Sequence, residues 1–137
     1  MFSFVDISIL VHATEDENKI LTHTLESFKL STNVVTIDWV KTEGHWKNPI
    51  MRLNITTSFD LDRLYDDLCN QLRINYGSED FDNYLKNNLD EKGSVYVRLD
   101  KQKLCLRNIL LSDTDAVRVV FKKKGKFENK LITVAHQ

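Results

Sequence analysis

A chain of 137 residues, 42% hydrophobic and 28% charged, has the size and mixture of one folded domain spanning residues 1–137. Four glycines and one proline argue against a glycine-lined phosphate loop and against a long low-complexity tail. The net charge of −1 is unlike that of a dedicated DNA binder, and no apolar run reaches the ~20 residues that a membrane helix needs.

The first stretch, 2–12, alternates: Val5, Ile7, Ile9 and Val11 share one face, Asp6, Ser8 and His12 the other, with Leu10 as the exception. It has no basic leader, so it reads as a half-buried strand rather than a signal peptide. Thr14 and Glu17 have capping-box spacing, which predicts a helix carrying Ile20, Leu21, Leu25 and Phe28 inward and stopping near 31–33. Val35, Ile37 and Trp39 predict a second strand, and Met51, Leu53 and Ile55 a third that forms its hairpin partner. Residues 61–73 carry the clearest helical period, with Asp60 as N-cap and Phe59 and Leu64 as a hydrophobic staple. A shorter helix over about 79–89 turns Phe81, Tyr84, Leu85 and Leu89 inward, and 90–93 is a turn. Val95, Val97 and Leu99 predict a strand, as do Val117, Val119 and Phe121; 101–111 is open between a turn with a short helix and a strand. Residues 122–126 read as a hairpin turn, with 131–135 as the return strand. Frequent hairpins mixed with helices predict an α+β fold: a mostly antiparallel sheet with two or three helices packed on one face.

Catalytic signatures are missing from this pattern. His12, His23, His45 and His136 have no partner at HExxH-like spacing, and there is no GxGxxG, phosphate loop or GxSxG. The acidic cluster from Asp60 to Asp82 suits a helix N-terminus and a solvated face better than a divalent cation. Cys69 and Cys105 lie in apolar patterns outside any CxxC pair, so buried, reduced thiols are expected. The chain is therefore expected to be cytoplasmic and away from membranes, to use no cofactor or metal, and not to be an enzyme.

Charge is distributed unevenly. Residues 1–97 hold nine Lys/Arg and sixteen Asp/Glu, a balance of −7, whereas residues 98–137 hold ten and four, a balance of +6. Arg98, Arg118 and Lys122 would project from the non-core face of neighbouring strands and, with Lys101, Gln102 and Lys103, offer phosphate contacts. The alternative is that these charges keep an exposed edge soluble. Between the second and third strands, His45, Trp46, Lys47 and Asn48 combine a stackable ring, an imidazole, a cation and an amide, the groups that hold an unpaired base. Equally, Trp46 folds back over the core and Asn48-Pro49 shapes a turn.

Three segments carry a resemblance: Val11-His12-Ala13-Thr14-Glu15-Asp16, then Glu43-Gly44-His45 with Asn48-Pro49-Ile50, then Leu89-Asp90-Glu91 leading to Val95-Tyr96-Val97-Arg98-Leu99-Asp100-Lys101-Gln102. With the alternating Val and Arg between Asp113 and Lys122, they resemble, in order, an archaeal family of predicted RNA-binding proteins or predicted exosome subunits. The resemblance implies a fold like that of the ribosomal protein that binds 5S RNA, and a role in RNA binding or processing. RNA is then the expected partner, with exosome or other RNA-processing proteins as further ones. The competing expectation is an interaction module in which the acidic part of one copy meets the basic part of another, giving a homo-oligomer.

Overall fold

The structure is a computed structural model that describes residues 2–43 and 49–123. Strand β1 (Phe4–His12) buries Val5, Ile7, Ile9 and Val11 and turns Leu10 out, as the alternation requires. Helix α1 (Glu17–Ser27) follows, and its cap differs from the expected box. Asp16, not Thr14, is the N-cap, its carboxylate accepting from the amides of Asn18 and Lys19 at 3.1 and 3.2 Å. A carboxylate accepts from these orphan amides at least as well as a hydroxyl does.

A short 3-10 turn (Thr32–Val34) leads to the hairpin of β2 (Thr36–Glu43) and β3 (Pro49–Thr57), paired from Thr36 opposite Thr56 to Glu43 opposite Pro49. Helix α2 (Leu61–Tyr76) runs three residues past the expected end, because Gly77, at φ 87°, is the first residue free to leave the helical region. Asp60 precedes α2 in a left-handed conformation and caps no amide; its carboxylate accepts instead from Arg63 Nε at 2.8 Å. Helix α3 (Ser78–Asn87) buries Phe81, while Leu89, expected inward, lies past its end and is 47% exposed. After β4 (Val95–Asp100) the undecided segment resolves into a one-turn helix, α4 (Lys101–Cys105), capped by Asp100. Strand β5 (Ala116–Lys122) completes the described chain, and the expected hairpin turn and return strand beyond it lie outside the described residues.

The five strands form one antiparallel sheet in the order β2-β3-β1-β5-β4. Val5, Ile7, Ile9, Leu53, Ile55, Val97, Val119 and Phe121 join Ile20 and Leu25 of α1, Leu64, Leu68 and Leu72 of α2, Phe81 of α3 and Leu104 of α4 in a single core. Phe2, Tyr65 and Phe121 close one end of it as a ring cluster with centroids 5.0–5.4 Å apart. Cys69 is buried, Cys105 half-buried, and both are free thiols whose pKa burial pushes up. The helices therefore cover one face of the sheet, and the expected α+β architecture is what forms.

Candidate nucleic-acid interface

Strand parity sends the even-numbered residues of β1, β2, β4 and β5, and of β3, to the side away from the helices. The registers align them in rows across the whole sheet. One row is Asp38, Asn54, Ser8, Arg118 and Arg98; the next is Thr36, Thr56, Asp6, Val120 and Tyr96; a third begins Val40, Arg52, Leu10. Arg98 and Arg118 are thus directly opposite one another, and both are exposed. A like-charge pair in register opposes folding by some tenths of a kcal/mol. Arg118 and Lys122 both lean on the Tyr96 ring, with the guanidinium carbon 5.8 Å and the ammonium 5.6 Å from its centroid. Arg52, exposed in the third row, stands between two exposed apolar side chains, Leu10 (46%) and Val40 (39%). Among the described residues, none of Arg52, Arg98, Arg118 and Lys122 pairs with a carboxylate within 4 Å.

The other residues expected to contact phosphate separate from this face. Lys101 is the correction: it is 2% exposed, and its ammonium donates to Glu15 Oε1 at 2.8 Å, to the Leu10 carbonyl at 2.9 Å, and pairs with Asp115 Oδ1 at 3.0 Å. A desolvated cation that is surrounded in this way has no donor left for a phosphate. Gln102 donates to Glu15 Oε2 at 3.4 Å, and His12 Nε2 stands 3.5 Å from Asp115. The His12 amide completes the cluster by donating to Glu15 Oε1 at 2.9 Å. Burial alone would raise the Glu15 carboxyl, but the Lys101 hydrogen bond, the His12 amide and the Lys101 charge outweigh it and hold its pKa below the ordinary value. Asp115 reaches Lys101 from a left-handed backbone, φ 42°, which an aspartate tolerates better than most residues. These contacts pin the end of β1, the start of α4 and the entry to β5 together. Lys103 is exposed on α4, its amide capped by Asp100 at 2.8 Å. His45, Trp46, Lys47 and Asn48 lie outside the described residues.

Sequence reasoning did not single out Arg52, Tyr96, Leu10 or Val40 for the interface. Parity alone puts each on the polar side of its strand, but their company depends on the strand order. On the helix side of the molecule, two arginines are matched by carboxylates. Arg63 pairs with Asp60 and Asp67 at 2.8 and 3.2 Å and donates to the carbonyls of Phe28 and Lys29, while Arg107 pairs with Glu26. These residues line a groove of about 480 Å³ between the end of α1 and α2. Among the described residues, no group of three His, Cys, Asp or Glu could hold a metal, and no helix is long and apolar enough to cross a membrane.

The class this defines is an α+β protein with helices on one face of an antiparallel sheet and, on the other, cations that pair with no carboxylate among the described residues. The chain belongs to the family described as RNA binding, whose sequence model matches residues 4–123. It is 32% identical over 133 residues to an uncharacterised protein of Methanocaldococcus jannaschii, a match covering 90% of this chain and 86% of that one. It is 31% identical over 130 residues to a Pyrococcus abyssi protein named an RNA-binding protein, covering 88% of this chain and 81% of that one. Its fold is shared with a solved DUF54 protein of Methanothermobacter thermautotrophicus at a TM-score of 0.74 and 24% identity, over 99% of this chain and 95% of that one.

Proposed function

We propose that this protein binds RNA through the open face of its sheet, as a non-catalytic accessory in RNA binding or processing. The observation that carries the reading is the row in which Arg98 faces Arg118, with Arg52 and Lys122 nearby and no carboxylate pairing any of them among the described residues. Unpaired cations on one face are a phosphate footprint, and the like-charge opposition that weakens the fold becomes favourable when a polyanion bridges it. The name of the family and that of the Pyrococcus relative support RNA as the polyanion. His45, Trp46, Lys47 and Asn48, which follow β2 in the sequence, are the base contacts this reading adds. Exosome or other RNA-processing proteins are the partners this reading allows, with a cytoplasmic location.

The test is binding of a labelled mixed-sequence RNA by wild type and by the Arg98→Glu/Arg118→Glu variant, across a range of salt. Wild type should bind saturably and weaken steeply with salt; the variant should lose at least about tenfold in affinity and show a salt slope flatter by about one per cation removed. Absence of binding at low salt would sink the reading. A second reading, self-association, rests on the contrast between the cationic face and the many carboxylates of α2 and α3. It predicts a dimer at low salt and a monomer at high salt by sizing chromatography.

A further inference from the structure

The row containing Tyr96 carries more than charge. Its hydroxyl donates to Asp90 Oδ2 at 3.1 Å, and Asp90 Oδ1 accepts from the amides of Lys92 and Ser94 at 2.9 Å each. The Ser94 amide first, and then the Tyr96 hydroxyl and the Lys92 amide, hold the Asp90 carboxyl below its ordinary pKa despite some desolvation. The turn ahead of β4 therefore anchors the ring on the open face at its polar end. Gly93, at φ 88°, lets this turn close against the Lys123 side chain, where a Cβ would come within 3.0 Å of Lys123 Cδ. Around the ring runs an open groove of about 550 Å³, walled by Leu89, Lys122 and Lys123, which is in the size range of small-ligand sites.

A face that only grips duplex RNA needs cations, because the duplex presents phosphates and hydroxyls and hides the base faces. This face interleaves its cations with apolar groups: the half-buried Tyr96 ring between Arg118 and Lys122, and Arg52 between the exposed Leu10 and Val40. Alternating ring and cation is the arrangement that fits a strand whose bases are unstacked. We propose that the ligand is single-stranded RNA, with one base stacked on Tyr96 and the phosphates on either side of it held by Arg118 and Lys122. This rests on the RNA-binding reading above and narrows its substrate.

The experiment is fluorescence anisotropy of the full chain with a labelled 12-nucleotide RNA, free and annealed to its complement, at low salt. Wild type should bind the single strand at least about tenfold more tightly than the duplex. Tyr96→Leu should lose about tenfold for the single strand and leave duplex binding unchanged, while Tyr96→Phe, which keeps the ring, should stay within about twofold of wild type. Equal affinity for the two RNA forms, or a Tyr96→Leu variant that folds and binds the single strand like wild type, overturns the proposal while RNA binding stands. Binding of neither form by wild type overturns the RNA reading itself. Cross-linking of wild type to a 4-thiouridine single strand requires no variant to fold. The adduct should map to the segment holding Tyr96, and an adduct confined to the helices overturns the proposal.

Discussion

The two faces of this sheet are built from the same strands, one residue apart, and obey opposite rules. On the helix side, Leu53, Ile55, Leu99, Val117 and Val119 have no exposed surface and belong to one apolar core. On the open side, two arginines oppose each other, cations rest on a tyrosine, and Leu10 and Val40 stand in water. The first arrangement is what burial favours; the second costs stability through its in-register arginines, a cost that the proposed RNA ligand would offset. Strand parity thus separates the core face from the proposed binding face.

Substitutions can break or sharpen that separation. The largest effect belongs to the covered face: Leu72→Ala should cost about 3–4 kcal/mol in urea denaturation, because α2 cannot collapse onto the space left at a fully buried position, whereas Leu10→Ala should stay within about 0.5 kcal/mol. Next comes the latch between the faces. Lys101→Met should destabilise by about 3 kcal/mol, at the low end for breaking a buried pair because Asp115 remains half in water. If the folded fraction of that variant binds RNA as wild type does, Lys101 is excluded from the phosphate contacts.

The same latch has an acid dependence. Glu15 is held below its ordinary pKa in the folded state, so its contribution is fully present at neutral pH. It is lost as pH falls below the usual glutamate range and through the lower folded value. Wild type should lose more stability than Lys101→Met between pH 6 and about pH 3, measured by denaturation at each pH. The smallest effect is on the open face and has the opposite sign. Arg98→Gln should raise stability by about 0.2–1 kcal/mol by removing the in-register repulsion, while weakening RNA binding. A variant that becomes more stable and binds less well would be the clearest sign that the face is kept for its ligand.

The alternation in β1, β3, β4 and β5 and the helical period of α2 were legible because a strand buries every second residue and a helix every third or fourth, whatever the tertiary context. Single caps were less so. Thr14, Asp16 and Glu17 all suit a helix start, and the choice among them fell to Asp16 while Glu15 was drawn away to Lys101. The site was half legible: composition marked Arg98, Arg118 and Lys122, and parity put them outward. Lys101 sits among the same cations in the sequence, yet it is buried.

The amino-acid sequence by itself determined most of the elements, most of the inward residues and the excess of positive charge after residue 97, with α4, Leu89 and Lys101 as the exceptions, since each depends on neighbours within a few positions. Only the tertiary structure decided the strand order β2-β3-β1-β5-β4, and with it that Arg98 faces Arg118, that Arg52 and Tyr96 share their side of the sheet, and that Lys101 meets Glu15 across 86 residues of chain. Those pairings come from closing one core over one face of the sheet, a condition on the whole chain that no local spacing records.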